Sequence, residues 1–157
     1  ISPPAKNVAQ TMPVLTHSVQ SNSLLESIKK EAMTAGIDPV VMLAIEWHET
    51  GGYRSSLWRR AKNPGGIKYR QFQDLHSGKS GVYSSFGTAQ DGIRAHAIVL
   101  ANPRYEAARR TRDPLAQVTA IGQGGYAEYS PHWTSNVKKF VRKFRNELPP
   151  IILVKAD

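Results

Sequence analysis

Residues 39–47, PVVMLAIEW, are apolar on nearly every side of a helix, and they are framed by Asp38-Pro39 ahead and Gly51-Gly52 behind. A helix that is hydrophobic all round offers no face to water, so it must run through the middle of a domain with the other elements packed around it. A chain of 157 residues has room for one such domain and one core. No apolar run approaches the roughly 18 to 20 residues of a bilayer-spanning helix, and the N-terminal ISPPAKNVAQTMPV lacks the continuous hydrophobic core of a signal sequence. No period of 20 to 50 residues marks a solenoid or propeller.

The remaining boundaries follow from caps. Four times an Asp, Asn or Ser directly precedes Pro at the head of a helix-compatible stretch: Asp38-Pro39, Asn102-Pro103, Asp113-Pro114 and Ser130-Pro131. In each pair the side-chain oxygen can cap an orphan N–H, and proline loses nothing at a first helical position. A fifth helix is predicted from Ser23, with Glu26 as its capping-box partner, to Gly36, and a sixth from near Thr88. The last helix carries Trp133, Val137, Phe140, Phe144 and Leu148 on one stripe and Lys138, Lys139, Arg142, Lys143 and Arg145 on the other side. Between the central helix and Thr88, Gly65-Gly66, residues 67–72, a turn-rich HSGKSG and residues 82–86 predict a β-hairpin. The fold class is therefore α+β, mainly α, with a domain over 21–148. Residues 1–20 and 149–157 are expected to be tails, with IILV at 151–154 apolar enough to dock as a strand.

Charge narrows the partners. Twenty-one Lys plus Arg against 12 Asp plus Glu leave a net +9, which suits nucleic acid, anionic lipid or the acidic polymers of a bacterial wall. A nucleic-acid module built on 138–145 would need a helix-turn-helix or aromatic RNA-binding motif, and neither is present, so nucleic acid is not expected. There is no cysteine, hence no disulfide framework and no thiolate nucleophile. His17, His48, His76, His96 and His132 make no HExxH and no helical i, i+4 pair, so neither a metal nor another cofactor is expected.

The chemistry gathers where the buried helix ends. In AIEWHETGG, Glu46 and Glu49 are three residues apart on one helical face, and Glu49 occupies the last turn. The negative pole of the helix dipole and an apolar surround both penalise its carboxylate, so its pKa should rise toward that of a proton donor working near neutrality. The plainer reading makes both glutamates solvated carboxylates beside Arg54, Arg59 and Arg60. His48 is expected on a different face from Glu49. Among the aromatic side chains, Trp47 reads as core, while Tyr53, Trp58 and Tyr69 are candidates for stacking on sugar rings.

Three ordered stretches carry a family resemblance. ETGGYRSSLWRRAKNPGGIKY, from Glu49 to Tyr69, resembles the glutamate-led segment of the bacterial N-acetylglucosaminidases of the flagellar-rod and autolysin type, which are lysozyme-like enzymes of glycoside hydrolase family 73. VYSSFGTAQDGIRAHAIVLANPRYEAA, residues 82–108, and GYAEYSPHW, residues 125–133, resemble that family's next two segments in the same order. The resemblance implies a helical lobe, a small β-lobe and a saccharide groove between them. It implies Glu49 as catalytic acid and Tyr126 as the groove tyrosine that orients substrate or water. By the same resemblance the chain is a monomeric peptidoglycan hydrolase of the bacterial envelope, periplasmic or secreted, serving an appendage, secretion apparatus or phage. One departure stands out. The family's β-lobe usually supplies a second glutamate, yet no glutamate occurs from Thr50 to Tyr105, and Asp74 is the nearest carboxylate by position. ETGG also resembles the ESGG of lytic transglycosylases, which use one glutamate and release 1,6-anhydro-muramic products. A lysozyme-like domain that binds glycan without cutting it is the third reading.

Overall fold

The computed structural model describes residues 12–13, 19–69, 75–128 and 130–156. Helix α1 (Leu24–Ala35) is capped by Ser23, whose hydroxyl accepts from Glu26 N at 3.1 Å, and ends on Gly36 at φ 72°. Helix α2 (Pro39–Thr50) starts where Asp38 Oδ1 accepts from Val40 N at 2.9 Å, and ends on Gly51 at φ 58°. Every residue from Pro39 to Glu46 is buried, and α2 packs against α1, α6 (Pro114–Gln123) and α7 (Ser130–Phe144), so the all-round apolar helix is indeed the centre. Thr88 and Asp113 cap α4 (Ala89–Leu100) and α6 as their spacing foretold. On α7 the buried stripe is Trp133, Val137, Val141 and Phe144, continued by Leu148, with Phe140 only partly covered; Lys139, Arg142 and Lys143 face solvent. Among the described residues no helix is long and apolar enough to cross a membrane.

The helices and the hairpin depart from these expectations in three places. Asn102-Pro103 opens a 3-10 turn (Pro103–Tyr105) before the one-turn α5 (Glu106–Arg109) rather than a full helix. A short helix, α3 (Ser56–Ala61), is capped by Ser55 and leaves no periodic signal in the sequence, because six residues hold too few turns. In the hairpin, HSGKSG is mostly strand: β1 (His76–Ser80) pairs antiparallel with β2 (Tyr83–Phe86), with the turn at Gly81, φ 61°. Gly and Ser read as turn residues, but an edge strand needs only its backbone, and β1 is largely exposed. The expected partner still lies along the other side of β2, through Ser84 N to Ile67 O and Tyr69 N to Val82 O, both 2.9 Å, while 70–72 fall outside the described residues.

The segment read as a C-terminal tail is docked. Pro150–Leu153 form a 3-10 turn with Ile152 and Leu153 buried in the main core, and Lys155 bridges to Ser23 beside α1. Of the N-terminal stretch, 1–11 and 14–18 lie outside the described residues.

One buried side chain fixes the loop between the lobes. Asn63, 1% exposed, donates to Ile67 O and Ser84 O at 2.8 and 2.9 Å and accepts from Ile67 N at 2.9 Å. It thereby folds Asn63-Pro64-Gly65-Gly66 into a rigid turn against β2, which places two glycines over the end of α2.

Candidate active site

Glu49 emerges from the last turn of α2, three-quarters covered, its side chain 24% exposed. The chain behind it turns sharply through three consecutive left-handed residues, Gly51 (φ 58°), Gly52 (φ 75°) and Tyr53 (φ 62°). Two glycines make this cheap, but a tyrosine at positive φ must be held there. Thr50 holds it: its hydroxyl donates to Glu46 O at 2.6 Å and accepts from Tyr53 N at 2.7 Å. Opposite Glu49 stands the Gly65-Gly66 turn. A Cβ on Gly66, itself at φ 63°, would lie 3.3 Å from Glu49 Oε1, tighter than an ordinary contact, so the backbone there runs close against the carboxyl.

Between these walls lies a cleft of about 460 Å³. Glu49 and the Gly65-Gly66 turn line one part of it; Lys68 and Tyr83 come from the β-lobe, Arg104 and Tyr105 from the 3-10 turn, and Gly125 to Glu128 from the loop before α7. Burial raises the Glu49 carboxyl above its ordinary range, and His96 and the Trp133 indole oppose that more weakly. Among the described residues the Trp133 Nε1 proton has no partner in hydrogen-bonding geometry, so it biases Glu49 from nearby without bonding to it. His48 Nε2 sits 3.7 Å from Glu49 Oε2, closer than helix spacing suggested. Burial first, then His132 and Lys139, lower the His48 pKa and favour neutral imidazole, so it is a weak counter-ion.

Tyr126 joins Glu49 in the cleft. Its ring stacks on Trp133 (centroids 5.1 Å apart, 26° between planes), and its hydroxyl donates to Gly65 O at 2.9 Å. Burial, and next the charge of Glu49, push the phenol well above its ordinary pKa, so it remains an O–H. Behind it runs a chain of buried polar groups: Tyr126 Oη to His96 Nε2 at 2.9 Å, His96 Nδ1 to Glu46 Oε2 at 2.7 Å, and Tyr53 Oη donating to Glu46 Oε1 at 2.7 Å.

Several assignments change accordingly. Glu46 is not a solvated carboxylate near the arginines: it is 0% exposed and bonded to Tyr53 and His96. Tyr53 and Trp58, 3% and 6% exposed, meet edge to face inside the core and cannot offer a ring face to a sugar. Tyr69 lies against His76 (4.8 Å) and under Lys79, and does not line the cleft. Asp74 falls outside the described residues. Sequence reasoning missed His96, Lys68, Arg104, Tyr105 and Glu128. His96 is 50 residues from Glu46 and 30 from Tyr126, a separation that leaves no periodic trace; Glu128 stood in view inside GYAEY. Among the described residues, Glu128 is the second carboxylate that lines the cleft.

A model of the glucosaminidase family, described as mannosyl-glycoprotein endo-beta-N-acetylglucosaminidase, matches residues 25–146. A solved structure, described as a type VI secretion system effector–immunity complex from Pseudomonas protegens, is similar in fold: 16% identity over 78% of this chain and 93% of that one, with a TM-score of 0.57. No curated protein sequence matches the chain.

Proposed function

The chain belongs to the glucosaminidase family and is a glycoside hydrolase of that kind, and from that premise we propose that it cuts peptidoglycan strands at the β-1,4 bond after N-acetylglucosamine with Glu49 as general acid. The observation that carries the assignment of the acid is a carboxyl raised by burial, at the end of a central helix, facing a cleft of about 460 Å³. In that state it gives its proton to the leaving glycosidic oxygen and, as the carboxylate, takes one from the incoming water. Tyr126 lies beside it, with an O–H that stays protonated, and orients substrate or water. Lys68 and Arg104 in the cleft lining offer cationic partners to strands bearing carboxylates. The enzyme works in the bacterial envelope, periplasmic or secreted. Export through a secretion apparatus, the setting named for the effector of similar fold, is compatible with this role.

The second catalytic group is the open chemical question. An inverting enzyme needs a base roughly 6.5 to 9.5 Å from the acid and a retaining one a nucleophile at roughly 5 to 5.5 Å, unless the substrate's acetamido oxygen attacks C1 instead. We assign the attack to the acetamido group. Glu128 is exposed on the loop before α7, a poor platform for a group that must aim at one carbon, and Asp74, just ahead of the Gly- and Ser-rich HSGKSG, reads from the sequence as a turn residue. Asp74→Asn and Glu128→Gln are therefore each expected to keep release of soluble muropeptides within about threefold of the parent protein, since no proton or bond passes through them. Turbidity clearing of purified walls reads this directly. A variant at either position as inactive as Glu49→Gln would identify that carboxylate as base or nucleophile and end the acetamido assignment.

A further inference from the structure

The strongest feature outside the direct chemistry is the buried chain from Tyr53 to Tyr126. Glu46 and His96 are both 0% exposed, and they meet at 2.7 Å in the interior between α2 and α4. Burying an ionisable pair costs free energy that an apolar pair of the same shape would not, so its presence calls for a role beyond holding the fold.

Hydrogen-bond counting gives that role a direction. Tyr126 has one hydroxyl proton, and it goes to Gly65 O at 2.9 Å. The proton between Tyr126 Oη and His96 Nε2, 2.9 Å apart, must then belong to the imidazole. His96 Nδ1 faces Glu46 Oε2 with one more proton between them, whichever of the two carries it, and Glu46 Oε1 accepts from Tyr53. In either arrangement Nε2–H points at Tyr126, and every donor in the chain has an acceptor. The packing agrees independently: a Cβ on Gly65 would come within 2.6 Å of His96 Cδ2, 3.0 Å of Nε2 and 2.9 Å of the Tyr126 hydroxyl, so backbone, imidazole and phenol fit against one another with no slack.

We propose that Glu46 and His96 are positioning residues: through the Tyr126 hydroxyl they lock the Gly65-Gly66 turn and the Tyr126 ring in place beside Glu49, so that turnover depends on them and glycan binding does not. The inference rests on the reading of Glu49 as the acid of this cleft. Glu46 shares α2 with Glu49, three residues earlier, so the chain ties the acid's own helix to both walls that face it.

The test compares a polar replacement with an apolar one. In Glu46→Gln the amide oxygen accepts from Tyr53 and the amide nitrogen donates to a bare Nδ1, which preserves Nε2–H; kcat is expected to stay within about threefold of the parent. The double variant Glu46→Leu with His96→Phe removes the ionisable pair together, which leaves no unpaired charge and only the Tyr53 hydroxyl without its acceptor, a cost that thermal unfolding reads separately, yet frees Tyr126 from its donor. Its kcat on purified walls is expected to fall about tenfold or more, with KM changed less than twofold, because a displaced group near the reacting atoms costs rate rather than affinity. Native kcat in the folded double variant would make the pair merely structural, and Glu46→Gln as impaired as the double variant would break the hydrogen-bond account. Imidazole 15N spectra of the unliganded protein add a readout independent of activity: His96 Nε2 carries a proton in the parent and in Glu46→Gln. A bare Nε2 overturns the proposal even in an active enzyme. A parent protein without glycosidase activity overturns the function while the spectra still report on the pair.

Discussion

Glu49→Gln is expected to lower release of soluble muropeptides by about a hundredfold or more, while making the protein more stable, not less, at neutral pH. The activity loss follows from removing the transferable proton while keeping the side chain's shape. The stability gain follows from burial, which raises the Glu49 carboxyl in the folded protein above its value in the unfolded chain. A raised carboxyl contributes stability that is fully present below the unfolded pKa and is lost as pH rises through the folded one, because the native site then has to hold a charge that water would solvate better. The amide never ionises, so it escapes that loss. Thermal unfolding of both proteins should therefore show the variant ahead at about pH 8 and level with the parent at about pH 3.5, where both states of Glu49 are protonated. Undiminished release would remove Glu49 from the chemistry. A variant less stable at pH 8 would mean that the ionised carboxylate is held by favourable bonds, contrary to its placement.

Gly65→Ala should have the next largest effect for a change of one methyl group. Its Cβ has nowhere to go: His96 is fully buried, and Tyr126 is held between Gly65 O, His96 and Trp133. Either the imidazole and phenol withdraw and break the chain of hydrogen bonds, or the turn lifts away from Glu49. Overpacking of this sort costs about 1 to 3 kcal/mol, so the protein should fold with a lowered midpoint. Turnover should fall about tenfold or more because both escapes disturb the wall that faces the acid. Denaturant melts alongside kcat would check it. Parent-like values for both would show that the two lobes yield freely at this point, and the tight walls described for the cleft would be wrong.

What could be read from the chain ahead of the structure divides along a physical line. Features carried by a few adjacent residues were legible: the caps at Ser23, Asp38, Thr88 and Asp113, the αL terminator Gly36, the all-round apolar α2, and Glu49 at its end. Features that depend on meetings across the chain were not. Tyr53 and Trp58 look like surface aromatics next to arginines, and only the triple left-handed turn after Thr50 sends Tyr53 inward to Glu46. His96 had no local sign of partnership, because its partners come from α2 and from the loop before α7. Asn63 looked like one more turn residue, although its three hydrogen bonds build the wall over Glu49. The strand at His76–Ser80 was hidden by composition, since pairing with β2 is made by backbone groups that every residue possesses. Ile152 and Leu153 showed apolar character, but whether nine residues after a helix dock or dangle is decided by a groove that only the folded core provides.

The central claim, hydrolysis after N-acetylglucosamine by a single glutamate acid, is tested most directly by mass spectrometry of purified peptidoglycan digested to completion and then reduced. The account predicts muropeptides with reduced N-acetylglucosamine at their former reducing ends, absent when Glu49→Gln replaces the parent protein. Products ending in 1,6-anhydro-N-acetylmuramic acid would contradict it and make the protein a lytic transglycosylase.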